Sequence, residues 1–211
     1  MDRWKGRVAL VTGASVGIGA TIAKELVRYG MTVVGCARSL DKIQALAAEC
    51  KSAGHSGVLI PMKCDLTNAE DIQSMFAAIK AQHKGVDVCI NNAGLAHPES
   101  LLSGKTSAWK NMLDVRTHCG SEILMRHCFE AFRDNHNCVV LFSLQSISPG
   151  LVETEFAYRL HSKTPGKAKE TYSQLKPLEA IDVANAVVYV LSAPPHVQIG
   201  EMLLRPVEQQ A

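Results

Sequence analysis

This chain of 211 residues lacks any apolar run near the ~18 residues that a membrane-spanning helix needs. It also lacks an excess of one charge: the formal net charge is +2 and the basic residues are scattered, which leaves no electrostatic footprint for nucleic acid. A disulfide framework is excluded by the cysteines, which are seven, an odd number without scaffold spacing, at positions 36, 50, 64, 89, 119, 128 and 138. Met1-Asp2-Arg3-Trp4-Lys5 runs straight into a strand with no hydrophobic segment of signal-peptide type, so a cytoplasmic protein with free thiols is expected. There is no internal repeat, low-complexity segment or linker, and residues 1–211 read as one domain long enough to bury a sizeable core.

What is present is a regular alternation of strand and helix patterns. Arg7–Thr12 is a short apolar run ending on a glycine turn, and Gly17–Tyr29 carries Ile18, Ile22, Leu26 and Tyr29 at helical spacing before Gly30 stops it. Met31–Ala37 is a second strand and Leu40–Ala53 a second helix. Gly57–Lys63 is a third strand, in which Pro61 removes a ladder donor and so predicts a sheet edge. Asn68–His83 reads as a helix capped by Asn68, and Val86–Ile90 as a fourth strand, apolar but for Asp87. Thr106–Asp134 has an imperfect apolar stripe that includes Trp109 and Leu113. Glu179–Leu191 has a helical face of Ile181, Ala184, Val187, Val188 and Leu191, and Gln198–Pro206 reads as a last strand. The pattern predicts an α/β domain with a doubly wound parallel sheet of Rossmann type.

The turn after the first strand carries the chemistry. In Thr12-Gly13-Ala14-Ser15-Val16-Gly17-Ile18-Gly19, Gly13 allows the tight turn, Gly17 lets backbone approach a pyrophosphate, and Gly19 permits close helix-on-sheet packing. The helix N-terminus that follows offers free N–H groups and a positive dipole end to phosphates. At the end of the second strand stand Arg38 and Ser39, where a chain reading NAD usually places a carboxylate for the ribose 2′-hydroxyl. A guanidinium without a neighbouring carboxylate favours a 2′-phosphate, and therefore NADP(H). Asp65-Leu66 follows the third strand, placed for an adenine edge. Asn91-Asn92-Ala93-Gly94 ends the fourth, where open sheets bind ligands.

Together these segments resemble the short-chain dehydrogenase/reductase family, whose signatures are TGxxxGxG, an Asp-Leu pair and NNAG. The resemblance covers roughly residues 5–115 and 147–206. Gly35-Cys36-Ala37-Arg38, residues 46–54, Cys89–Ala96 and Val197-Gln198-Ile199-Gly200 are similar to a subgroup of NADP-dependent reductases of ketosteroids and other carbonyls. Ser148-Pro149-Gly150 through Thr154 resembles the motif that flanks the nicotinamide, which adds Pro149 and Gly150 to the cofactor residues. The resemblance implies a small-molecule carbonyl or steroid substrate. It also implies a homo-oligomer, although the family's usual interface falls largely in the divergent segment 116–146.

That segment breaks the pattern. The family uses an Asn, Ser, Tyr, Lys tetrad, with the Tyr and Lys as YxxxK before the proline-glycine motif. No tyrosine lies between Tyr29 and Tyr158, so no YxxxK can stand there. Only 149 − 94 = 55 positions separate Gly94 from Pro149, too few at roughly 30 residues per strand–helix–strand unit, so the fold is expected to be one strand and one helix short. The spacing does recur at Tyr172–Lys176, after the proline-glycine motif, where it reads as a decoy. Arg116 falls on the position of the family's asparagine. Cys138–Ser146 reads either as a strand ending on Ser143 or Ser146 or as the strand leading into Ser148-Pro149-Gly150. The His and Cys residues at 118, 119, 127, 128, 136 and 138 match no zinc spacing. A break this clean has the form of an exon difference, a frameshift or a gene-model error. Three readings follow: an active NADP-dependent reductase, a catalytically silent NADP-binding protein, or a chain that forms no stable protein. No catalytic residue can be named from the sequence.

Overall fold

The computed structural model describes residues 1–99, 103–120, 146–162 and 164–209. Four parallel strands, β1 (Val8–Thr12), β2 (Thr32–Ala37), β3 (Val58–Lys63) and β4 (Val88–Ile90), form a sheet in the order β3-β2-β1-β4. Among the described residues β3 is therefore an edge, and Pro61 sits where its missing donor costs no ladder bond to a further strand. Helices α1 (Gly17–Arg28), α2 (Leu40–Ser52) and α3 (Ala69–His83) connect these strands.

All five residues of β1 are buried, because apolar side chains are covered on both faces. Leu10 and Val34 point to one side, into a cluster with Ile72, Phe76 and Ile79 of α3. Ala9, Val11 and Val33 point to the other, against Ile22 and Leu26 of α1. The α3 cap is as expected: the Asn68 side chain accepts a hydrogen bond from the Glu70 amide at 2.9 Å.

Asp87, the one polar residue in the fourth apolar run, sets the pairing of β4 with β1. Its amide donates to the Val8 carbonyl at 2.8 Å, and its carboxylate accepts from the Val8 amide and from Arg7 Nη1, each at 2.8 Å.

After the divergent segment come β5 (Ser146–Pro149), α5 (Glu155–Leu160), α6 (Pro165–Ser173), α7 (Ala180–Ser192) and β6 (Glu201–Leu204), with β5 and β6 paired in parallel. Ser146 and Ser148 thus share the strand leading into Gly150, while Ser143 lies outside the described residues. α7 packs on α1, with Ala184 and Val187 in the α1-side cluster. Its first turn carries a reciprocal capping box between Glu179 and Asp182.

Two expectations need correction. The N-terminus does not run straight into β1: Asp2–Trp4 forms a 3₁₀ turn, and Trp4 Nε1 donates to the Leu191 carbonyl at 2.6 Å. Leu113 is 58% exposed, and Val115 instead faces the core from α4 (Thr106–Gly120), because the helix is rotated from the stripe read in sequence. Residues 121–134 of that expected helix lie outside the described residues. The sequence pattern carries no expectation for α5 and α6, whose buried residues, Ala157 and Ala168, are small and make no apolar stripe.

Candidate functional site

Sequential strands β1, β2 and β3 step in one direction across the sheet, whereas β4 lies on the other side of β1. Their carboxyl ends therefore open at a topological switch point, where open α/β sheets bind ligands. The glycine turn and the Asn91–Gly94 loop face each other there. Thr12, fully buried at the end of β1, joins them: its hydroxyl accepts from the Asn92 and Ala93 amides, each at 3.0 Å. In return Asn92 Nδ2 donates to the Thr12 carbonyl at 3.0 Å. The Gly13 and Ala14 amides donate to the Cys36 carbonyl, which ties the turn to β2 as well.

Each glycine of the turn has a steric reason. A Cβ at Gly13 would lie 2.9 Å from Ala93 Cα, and one at Gly19 would lie 2.3 Å from Asn92 Nδ2 and 2.4 Å from the Gly13 carbonyl oxygen. Gly17 has φ of +58°, a left-handed conformation that favours glycine, and Thr154 lies beside it. Val16, the N-cap of α1, makes no capping bond with its side chain, so the helix entrance keeps its amides for a ligand.

One cleft of about 1750 Å³ runs over this surface. Gly13, Ser15, Val16, Gly17 and Ile18 line one wall, while Ala14 and Gly19 stand behind them as packing residues. Arg38 and Ser39, both exposed, border it at the end of β2 with Lys42 beside them, a second cation that the sequence reading missed. Asp65 and Leu66 border it at the end of β3. Asn92, Ala93, Gly94, Pro149 and Gly150 line the part near β4 and β5. The cleft brings together residues from four strand ends and from the segment after the divergent region.

Asp65 keeps its charge readily. The Thr67 amide, donating to Oδ1 at 3.0 Å, holds its carboxyl below the ordinary carboxylate value; the Thr67 hydroxyl and the nearby Arg38 charge add to this against the opposing effect of burial. One oxygen of Asp65 is therefore committed to its own loop.

The recurring Tyr172–Lys176 spacing does not form an acid–base pair. The Tyr172 hydroxyl accepts from the Thr154 amide at 3.2 Å, and its one proton is shared between the Thr154 carbonyl at 3.0 Å and the Val152 carbonyl at 3.2 Å. α6 ends at Ser173, so Lys176 does not share a helical face with Tyr172, and it is exposed. Arg116 is on α4, and the histidines and cysteines at 127, 128, 136 and 138 lie outside the described residues.

Residues 7–143 match the family described as short chain dehydrogenase. The chain belongs to the short-chain dehydrogenase family. It is 51% identical to dehydrogenase/reductase SDR family member 11 of Gallus gallus and 47% identical to the Mus musculus protein of that name. Each comparison covers 99% of this chain, with 99% and 97% of the relative. Those alignments run over 254 positions against 211 residues, so more than forty positions face a gap in this short-chain dehydrogenase. Among solved structures, the closed form of serine dehydrogenase complexed with NADP+ matches with a TM-score of 0.78 at 25% identity, covering 97% of this chain and 96% of that one.

Proposed function

We propose that this short-chain dehydrogenase binds NADP(H) across the carboxyl ends of β1–β4 and does not by itself complete carbonyl reduction. Gly13, Ser15, Val16, Gly17 and Ile18 receive the pyrophosphate over the uncapped start of α1, while Ala14 and Gly19 hold the turn against the sheet. Arg38 and Ser39, with Lys42, meet the 2′-phosphate. Asp65 and Leu66 border the adenine, and Asn92, Ala93, Gly94, Pro149 and Gly150 border the nicotinamide end. The residues fit such a group because a Cβ at Gly13 or Gly19 would close the turn that the pyrophosphate needs. Bound NADPH would supply hydride. Reduction of a ketone also requires a proton at the carbonyl oxygen from an acid within reach.

The observation that carries the silent reading is the Tyr172 hydroxyl. It belongs to the only tyrosine at YxxxK spacing, and it is taken up by the Thr154 and Val152 backbone. The alternative, an active NADPH-dependent reductase of ketosteroids or related ketones, draws support from the identity to named dehydrogenase/reductases. Titration of NADPH against tryptophan fluorescence, paired with ketosteroid reduction, separates the two. Binding without turnover above a Gly17→Val control is expected; turnover well above that control would overturn silence, and absence of binding would overturn the cofactor assignment.

A further inference from the structure

Gly150 and Leu151 follow the proline at the nicotinamide end of the cleft, yet their geometry depends on residues near the other end of the chain. The Gly150 amide donates to the Leu204 carbonyl at 2.6 Å, which carries the β5–β6 pairing one residue beyond Pro149. The Leu151 amide, the next donor, finds no strand partner. It donates to Gln209 Oε1 at 2.9 Å, across 58 residues of sequence. The Gln209 amide in turn donates to the Pro206 carbonyl at 3.0 Å, so its own backbone is fixed in a turn just past β6.

The side chain is also packed tightly over the glycine. A Cβ at Gly150 would lie 2.3 Å from Gln209 Oε1 and 3.2 Å from Pro206 Cδ, so glycine there leaves room for this amide. The same turn reaches a second loop: Glu208 Oε2 accepts from the Lys176 amide at 3.4 Å. One turn after the last strand therefore pins both the segment that follows Pro149 and the loop after α6. No cofactor signature includes Gln209.

We propose that Gln209 is a positioning residue for the nicotinamide end of the cofactor site, acting through the Leu151 amide and the Gly150 turn. This rests on the NADP(H) reading above. With Gln209 removed, the Leu151 N–H loses its acceptor and the 150–151 backbone is free to rotate, while the wall formed by Arg38, Asp65 and the glycine turn is untouched. The effect should fall on one end of the ligand only.

Two probes divide the site. NADPH spans it, whereas adenosine 2′,5′-bisphosphate carries the adenine and 2′-phosphate but no nicotinamide. Gln209→Met removes the acceptor at nearly constant volume, and Gln209→Glu retains one. With the full chain in calorimetric titrations, Gln209→Met is expected to weaken NADPH roughly three- to ten-fold, the loss of one hydrogen bond, and to leave the bisphosphate unchanged. Gln209→Glu should restore NADPH to within about two-fold of the parent. Gly150→Ala, which expels the same amide, should weaken NADPH without adding to Gln209→Met.

Equal weakening of both probes by Gln209→Met, or no weakening of either, would overturn the role. A Glu variant as weak as the Met variant would do the same, since it would separate the effect from the acceptor. If the unmodified chain binds neither probe, the cofactor assignment itself fails, and that outcome is distinct from both.

Discussion

Arg38 is the residue to which the proposed function assigns the choice of cofactor. It is exposed at the end of β2, with Lys42 beside it in the cleft, and its charge reaches the carboxylate of Asp65 across the neighbouring strand end. A charge-assisted contact to the 2′-phosphate has no counterpart in NADH. Arg38→Ala should therefore weaken NADPH by about ten- to a hundred-fold while changing NADH little, measured as the ratio of the two dissociation constants. Asp65 offers a pH test. Its carboxyl is held below the ordinary value when folded, so its stabilising contribution is complete above the unfolded value of ~3.9 and is lost as pH falls through the folded one. Asp65→Asn should lower the urea midpoint at pH 7, and the gap from the parent should close as acid protonates the parent's carboxyl. A gap that persists in acid would assign the effect to altered loop packing. Both residues stand out in the linear sequence through their place after a strand. Thr12 stands in the turn motif, but its role does not show there, because its hydroxyl matters only once Asn92 and Ala93, about eighty positions away, are brought to it.

At the scale of elements, periodicity was a good guide wherever a segment buries large side chains against one neighbour. The three βα connections, the edge position of β3 and the Asn68 cap are all local consequences of apolar spacing, a missing proline donor and a side-chain acceptor. The guide was silent on α5 and α6, whose buried residues are alanines, and failed for the rotation of α4, where Val115 rather than Leu113 turns inward. β4 shows how one polar residue orders an element. Asp87→Ala would leave the Val8 amide and the Arg7 guanidinium without this carboxylate. Arg7 is 39% exposed and can rehydrate, so the expected loss is only about 1–3 kcal/mol by equilibrium unfolding, chiefly from the amide. A larger slope in amide exchange along β1 and β4 than along β3 should accompany it, because the carboxylate holds that strand pair.

For the whole molecule, a cofactor that binds only the folded chain must stabilise it. NADPH at a hundred times its dissociation constant should raise the unfolding free energy by about 2.7 kcal/mol, read from urea transitions with and without the ligand. The Gly17→Val chain should show no such increment. A parent transition that NADPH does not move would count against the cofactor site, and a non-cooperative parent transition would favour the reading in which no stable fold forms. The gap of more than forty positions relative to the similar dehydrogenase/reductases falls in a chain that still pairs β5 with β6 and still packs α7 on α1. The crossover through α7 accounts for this: a parallel pair needs a connection long enough to cross between its strands, and α7 supplies it.

The sequence by itself determined the alternation of strands and helices, the glycine turn, the cation at Arg38 and the absence of a tyrosine between Tyr29 and Tyr158. These are properties of residue type and short spacing, set by backbone dihedrals, side-chain volume and charge. The tertiary structure alone decided that Thr12 clamps the Asn92 loop, that the Tyr172 hydroxyl is spent on the Thr154 backbone, and that Gln209 reaches Leu151. Each is a hydrogen bond between groups far apart in the chain, and such bonds form only where the sheet order and the crossover helices bring donor and acceptor within about 3 Å.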